Sequence, residues 1–538
     1  MINNLSKFNQ MKRLIFFASL LMLSPIVYAG GVLTNTNQSV QFVRMLSRNA
    51  STGIDAVYFN PAGLTSLKDG WHFSLSSQTI LQKKPVESNF PWLNDGYYEG
   101  IVNVPVFPTA FAVYKMDKWA FSLGIGPNAG GGSAVYDRGL PSFEIPLAKL
   151  GYGLQNVSPL LSAYQIPAAT GYDADLSFEG KSVFWGIQLG ATYAISDFIS
   201  VYGGVRYLPS QNNYSGTINN IEITTSTGSF AADEYLAMAS PVLTGTISTL
   251  NTASTGLQAA INAGLIQGSA PVTGQQLLAV LGGFGQTGLT NQQAVNFLTA
   301  TSGSLTTIKN ADVSDKEVDT EQTGNGYTPM IGINISPAEN FNIAFKYEMK
   351  TTLNLTNNTR VDDMDLFPDG EVASNDIPAI LGIGAGYKTR MVEAQLSYNM
   401  YFNKGVGWGP NTRDLSIWRT RDISQIRTRE FEKNGMEIGL GTQFNVSRTF
   451  AFSVGGIYGD QGMADSYQSD FSYSNPHVSA GAGIEWKLSK ALTLDAGFSN
   501  SFYQDQTVSF TDPDAGAYTD VYSKSTFTAA FGISYSIF

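Results

Sequence analysis

Val392-Glu393-Ala394-Gln395-Leu396-Ser397-Tyr398-Asn399-Met400-Tyr401-Phe402 alternates larger apolar and polar side chains over its whole length. Extended backbone sends successive side chains to opposite faces, so this stretch is a strand with one apolar and one polar face. The pattern recurs. Phe341, Ile343, Phe345, Tyr347 and Met349 alternate with Asn342, Ala344, Lys346, Glu348 and Lys350. Met436, Ile438, Leu440, Thr442 and Phe444 face away from Glu437, Gly439, Gly441, Gln443 and Asn445. Val478, Ala480, Ala482, Ile484, Trp486 and Leu488 do the same against His477, Ser479, Gly481, Gly483, Glu485 and Lys487. With the weaker segments included, strands are expected near 70–81, 107–116, 118–127, 182–195, 197–209, 326–336, 340–355, 377–388, 391–403, 434–445, 449–459, 477–488, 491–504 and 525–538.

That makes fourteen, an even number, and most are near the ~9–11 residues that a tilted membrane-spanning strand needs. Lipid cannot hydrogen-bond an open sheet edge, so such a sheet must close. The connections alternate short and long. Short ones fall at Met116-Asp117, Ser196-Asp197, Pro337-Ala338-Glu339, Thr389-Arg390, Val446-Ser447-Arg448 and Ser489-Lys490. Long ones span about 82–106, 128–181, 210–325, 356–376, 404–433, 460–476 and 505–524. Short turns read as periplasmic and long loops as extracellular. Trp71, Tyr114, Trp119, Tyr193, Tyr387, Phe444 and Trp486 gather at the short-turn end, as an interfacial girdle would. A soluble β-sandwich also alternates, but explains neither the loop rhythm nor the girdle. The expected fold is all-β: a 14-stranded antiparallel transmembrane β-barrel.

Composition agrees. Charged residues are only 14% of the chain, and aromatic residues 12%. From Met11 the pattern is secretory: Lys12 and Arg13, an apolar run from Leu14 to Val27, then Val27-Tyr28-Ala29 at the cleavage position. Residues 1–29 are therefore expected to be a signal peptide, the apolar run being short for a retained span of ~20 residues. No later apolar run is long enough to cross as a helix. Without Lys7, Lys12 and Arg13 the net charge falls from −11 to −14, which argues against nucleic acid. With no cysteine there is no disulfide, thiolate metal site or lipoprotein anchor. The expected location is the outer membrane of a Gram-negative bacterium.

Before the first strand stands Asp55-Ala56-Val57-Tyr58-Phe59-Asn60-Pro61-Ala62-Gly63-Leu64. Pro61 fixes its own φ and pushes Asn60 towards extended backbone, and Gly63 frees the chain after it. A stiff, apolar turn ahead of a barrel belongs inside it. The D-A-x-x-x-x-N-P-A-G pattern resembles the hatch of the FadL/TodX family of outer-membrane transporters for hydrophobic compounds. The resemblance implies a hatch over 30–69 inside the barrel of 70–538, with Phe59, Asn60, Pro61, Ala62 and Gly63 as its gating turn. It implies a passive channel for long-chain fatty acids or other hydrophobic small molecules, and no enzyme. It also implies a kinked third strand through which ligand leaves sideways, with Gly126, Pro127 and Asn128 as the candidate kink. An ordinary loop start is equally compatible with those three residues.

Other signals are weaker. By alternation Lys346 and Lys350 point inward, as does Arg206, making them candidate contacts for a ligand carboxylate; Glu348 between the lysines equally allows internal pairing. The insertion 210–325 holds three capping patterns, Thr255/Gln258, Thr273/Gln276 and Thr290/Gln293, so it is expected to be a partly helical extracellular cap. Asp362, Asp363, Asp365, Asp369, Glu371 and Asp376 read as a solvated loop rather than a metal site. His72 and His477 belong to no catalytic or metal motif. No cofactor is expected. The expected partners are a long-chain fatty acid or hydrocarbon, outer-membrane lipid and lipopolysaccharide, and the outer-membrane assembly machinery, which would read the terminal strand ending in Phe538; the chain is expected to be a monomer. A general aqueous porin and a surface adhesin or structural barrel remain as alternatives.

Overall fold

The computed structural model describes residues 35–404, 406, 408–410, 433–463 and 468–538. The expected signal segment and the middle of the 404–433 connection lie outside the described residues. Fourteen strands form the wall: β1 Gly70–Ser88, β2 Tyr97–Met116, β3 Trp119–Tyr136, β4 Ala169–Ala194, β5 Ile199–Thr225, β6 Lys316–Ala338, β7 Phe341–Glu348, β8 Ile380–Lys388, β9 Val392–Tyr401, β10 Gly435–Asn445, β11 Phe450–Asp460, β12 His477–Lys487, β13 Leu492–Tyr503 and β14 Ser525–Ile537. Each pairs antiparallel with the next. β14 returns to β1 from Trp71↔Ile537 to Lys83↔Ser525, so the sheet is closed.

The wall inverts the burial of a soluble protein. On β10 Leu440 is 60% exposed while Glu437 is 5% exposed; on β9 Leu396 is 47% exposed while Gln395 is 3% exposed. Apolar side chains face outward and polar ones inward, the requirement of lipid outside and a polar lumen inside. A sandwich would bury the other face. At the short-turn end Trp71 packs on Tyr114 at 4.7 Å and Trp119 on Tyr193 at 4.6 Å.

Several connections differ from expectation. β4 and β5 run 26 and 27 residues, well past the segments 182–195 and 197–209 that alternation marked. Their upper parts, such as Gln211-Asn212-Asn213, are polar on both faces, so pairing continues where the period disappears. The expected strand 340–355 stops at Glu348. The chain then turns Leu353 and Leu355 inward against Phe184, Leu208 and Ile377, and Asn354–Asp362 pairs with upper β6. The 505–524 connection is a hairpin, Gln506–Asp512 with Gly516–Tyr522, whose second strand pairs with the top of β1.

Helix α3, Pro141–Ser162, lies in the 128–181 connection, where no helix was expected. The 210–325 insertion, by contrast, is helical as expected, with α4 Ala232–Asn262, α5 Gln275–Gly283 and α6 Asn291–Lys309. (α1 and α2 lie in the N-terminal segment described below.) Of the three capping patterns only Thr290/Gln293 is a capping box; Thr255 lies inside α4, and Gly274, not Thr273, precedes α5. Apolar side chains of α3, α4 and α6 join upper β1 to β5 in one core, so the insertion is anchored to the wall. The acidic run organises its own loop: Asp362 accepts from the Leu366 and Phe367 amides, and Asp376 from the Leu353 amide. Among the described residues no group of three His, Cys, Asp or Glu could hold a metal ion.

This wall gives a topology test. Tags at 95, 270 and 365 will label on intact cells, and tags at 117, 338 and 448 will label only after the outer membrane is permeabilised. Reversed labelling of either set would invert the orientation. A tag at 420, in the same connection as the undescribed residues, is expected to label with the first set.

Candidate functional site

Residues 35–65 lie enclosed by the wall, and the chain emerges at 66–69 before β1. α1, Val40–Met45, is capped by Ser39, whose hydroxyl accepts from the Phe42 amide at 3.0 Å, and ends at Leu46 in the left-handed region. All six α1 residues are buried. The wall beside α1 is glycine. A Cβ on Gly441 or Gly455 would stand 2.3 or 1.7 Å from the Met45 carbonyl oxygen, and one on Gly483 would stand 2.4 Å from the Arg44 Cβ. Backbone thus meets backbone, which no larger residue permits.

Buried ion pairs fix the orientation. Arg44 bonds Asp495 at 2.9 Å and Glu485 at 3.2 Å; Arg48 bonds Asp55 at 2.6 Å and Glu393 at 3.3 Å. Burial opposes the charge on Arg48, but Asp55 and Glu393 outweigh it and raise its pKa above the usual guanidinium value.

The Asn-Pro turn follows α2, Ala56–Phe59. Pro61 opens a 3₁₀ turn, Pro61–Ser66, where its missing amide costs nothing. Asn60 donates to Ser51 O at 3.0 Å and Asn334 Oδ1 at 2.9 Å. The turn's carbonyls are held from the wall: Thr192 donates to Pro61 O at 2.7 Å and Ser200 to Ala62 O at 2.6 Å. Gly63 is required, since a Cβ there would meet the Asn60 amide at 2.5 Å. Phe59 stacks on Phe42 at 5.4 Å, joining the turn to α1.

The three candidate cations all have carboxylates of their own. Arg206 and Lys346 bond Glu348 at 2.6 and 2.7 Å and lie 4.9 and 4.6 Å from the Tyr58 ring centroid. Lys346 also donates to Tyr58 O at 2.7 Å. Lys350, beyond the end of β7, bonds Asp376 at 2.7 Å. The internal pairing that Glu348 allowed is what forms.

Gly126, Pro127 and Asn128 sit where β3 loses its neighbour. β2 and β3 pair from Met116↔Trp119 up to Ala110↔Ile125, then not again until Val102↔Ala134. At about 3.3 Å per residue and a tilt of about 40°, those first seven pairs put the gap about 15 Å above the lower girdle, within the apolar band. The β3–β4 register shifts at Pro127/Ala129 and at Gly130/Gly132, and Gly130 and Gly132 have positive φ. The facing stretch of β2 carries Pro105 and Pro108, whose missing amides remove two further donors. Both prolines were visible in the sequence; only the pairing shows that they face the β3 kink.

The N-terminal segment supplies donors the ladder lacks. Asn35 N donates to Asn128 O at 2.7 Å, the Asn35 amide side chain donates to Gly130 O, and Gln38 Nε2 donates to Pro127 O at 2.7 Å. Residues 35–38 therefore cover the gap from inside. Beside them is a cavity of about 240 Å³ whose lining includes Asn35, Phe42, Leu46, Ile80, Phe107, Gly130 and Gly131 together with Glu437, His477, Ser479, Ser501, Tyr503, Lys524 and Thr526. Ser501, Tyr503, Lys524 and Thr526 went unmarked in the sequence because they are spread over two strands and a loop. His72 is a wall residue, bonded to Ser536 Oγ at 2.8 Å and Lys68 O at 2.7 Å.

No protein-family model and no curated protein matches the sequence. Solved structures do. A Pseudomonas aeruginosa FadL homologue aligns with TM-score 0.54 at 12% identity, over 94% of this chain and 99% of its own. The P. putida toluene transporter TodX aligns with TM-score 0.48 at 14% identity (90% and 95%), and the Ralstonia pickettii toluene transporter TbuX with 0.45 at 15% (90% and 94%). The likeness of fold rests on the first. With a closed wall of fourteen strands, lipid-facing apolar side chains and that likeness, the chain is a multi-pass outer-membrane β-barrel of the FadL/TodX fold.

Proposed function

We propose that the protein is a passive outer-membrane channel for hydrophobic small molecules, long-chain fatty acids or hydrocarbons. The observation that carries this reading is a gap in the wall at membrane depth, covered from inside by residues 35–38 and opening beside a luminal cavity. A general porin needs no such gap, and its lumen is not filled by buried helices. Ligand is gathered by the loops and the helical insertion and enters the cavity. It leaves sideways between β2 and β3 when Asn35 to Gln38 withdraw from Pro127, Asn128 and Gly130. The rest of the segment stays seated, because its buried ion pairs and the close approach of the Met45 carbonyl to Gly441 and Gly455 have no equivalent at residues 35–38, which meet Gly126 and Gly131 only through side chains. Arg206 and Lys346 belong to that seating. The fold is shared with a FadL homologue, and the Asn-Pro turn resembles the hatch of the same family, which supports a hydrophobic cargo.

A bulky side chain at the gap tests the route. A Cβ on Gly131 would be 3.7 Å from Phe107, so a small group fits and an indole fills the opening. Gly131→Trp will lose most uptake of labelled palmitate and toluene at equal surface abundance, while Gly131→Ala retains it. Full uptake by the Trp variant would exclude the lateral route.

A further inference from the structure

We propose that Glu437 gives the luminal cavity a preference for uncharged molecules bearing one hydroxyl, a phenol or an alcohol, over hydrocarbons and charged amphiphiles of the same size. This rests on the channel reading above. Glu437 stands on β10, is 5% exposed, and lines the cavity. Its two donors, Tyr401 Oη at 2.6 Å and Asn399 Nδ2 at 3.3 Å, both reach the same oxygen, Oε2. Among the described residues Oε1 accepts no hydrogen bond and no cation pairs with this carboxylate, whereas Glu348, Glu393 and Glu485 are all paired.

The register opens the space beside it. Glu437 pairs with Gly459, and Gly459 with His477, so a residue without a side chain separates the carboxylate from the imidazole. A Cβ on Gly459 would lie 2.4 Å from His477 Cε1, so the ring lies over that glycine. Gln461, two residues beyond Gly459, adds a second acceptor to the lining: its Oε1 is buried and accepts no hydrogen bond among the described residues. Leu46 closes the space towards the short-turn end. A Cβ on Gly439 would lie 2.5 Å from Leu46 O, and one on Gly481 3.0 Å from Leu46 Cγ. At about 240 Å³ the cavity is smaller than the roughly 300–1,000 Å³ of sites for drug-sized ligands, so it suits a single ring or a short chain segment.

The cavity holds charge of both signs. Lys524 lines it too, with its ammonium 4.7 Å from the Tyr503 ring centroid. A cationic head meets Lys524 and an anionic head meets Glu437, whereas a hydroxyl is repelled by neither. A hydroxyl donates to Glu437 Oε1 and can accept in return. A methyl group in the same place leaves that oxygen dry and without a donor.

The test is binding to the full chain in dodecyl maltoside micelles, with four probes that share a tolyl ring: 4-methylphenol, p-xylene, 4-methylbenzoate and 4-methylbenzylammonium. Protein-free micelles supply the partition correction, and intact-barrel gel mobility is the folding control. Wild-type protein will bind 4-methylphenol at least about tenfold tighter than the other three, the effect of one hydrogen bond to a charged acceptor. Glu437→Leu will remove that preference by weakening 4-methylphenol without weakening p-xylene. Glu437→Gln keeps an uncharged acceptor and will lose part of it. Equal weakening of 4-methylphenol and p-xylene would mean that Glu437 only holds Tyr401 and Asn399 in place, and would overturn the proposal. So would unchanged 4-methylphenol affinity in both variants, or a charged probe bound tightest by the wild-type protein. These outcomes leave the channel reading standing; failure to bind either uncharged probe would remove the channel reading itself.

Discussion

A chain carrying Asn60→Gly together with Pro61→Gly will assemble a normal barrel, leak small polar solutes and take up long-chain fatty acid at an altered rate. Pro61 restrains its own φ and the conformation of residue 60, and two glycines there increase the freedom of the loosened state; each such change is worth about 1 kcal/mol. Losing the Asn60 side chain also removes its bonds to Ser51 O and Asn334 Oδ1, the latter buried. At about 1 kcal/mol for each net hydrogen bond, the turn loses several kcal/mol of restraint without any change in the wall. The ladder bonds that close the barrel lie elsewhere, so folding and surface abundance should hold. Replacing Arg206, Lys346 or Lys350 singly will affect uptake less. Glu348 keeps one cation when Arg206 or Lys346 is lost, and Lys350 lies beyond the end of β7. Planar-bilayer conductance, antibiotic sensitivity and labelled-palmitate uptake measure the three consequences. A tight hatch variant with normal uptake, beside a lysine variant that loses it, would reverse this ranking.

Gly455→Ala is expected to have the larger effect on the seat of the N-terminal segment. The added methyl would lie 1.7 Å from the Met45 carbonyl oxygen, and Gly455 cannot give way cheaply because it is paired in the ladder on both sides. Displacing α1 would also strain Arg44 between Asp495 and Glu485, and breaking a buried pair costs about 3–5 kcal/mol. The variant will therefore show proteolysis within residues 35–69 from the periplasmic side and raised conductance. Gly456→Ala is the control: its Cβ points outward, 3.5 Å from the nearest atom, Ser479 O. Equal protease resistance in the two variants would show that α1 is not held by backbone contact with the wall.

The strands came out of the sequence because lipid and lumen impose opposite demands on alternate residues. Val392 to Phe402, Met436 to Phe444 and Val478 to Leu488 therefore announce themselves one by one, as do the tight turns between them. Where that demand stops, so does the signal. Upper β4 and β5 are polar on both faces, and only pairing with each other and with β6 makes them strands. The Asn-Pro turn was legible because proline and glycine constrain backbone locally, and the covalent order placed it ahead of the wall.

The same order says nothing about what meets across the lumen. Glycines at 441, 455 and 483 look like ordinary strand glycines until α1 is laid against them. Pro105, Pro108 and Pro127 become a gap only when β2 and β3 are placed side by side. Glu348 takes both Arg206 and Lys346, which alternation alone would have left free for a ligand. Contacts between residues hundreds of positions apart are set by barrel closure and register, and so only the tertiary structure decided them.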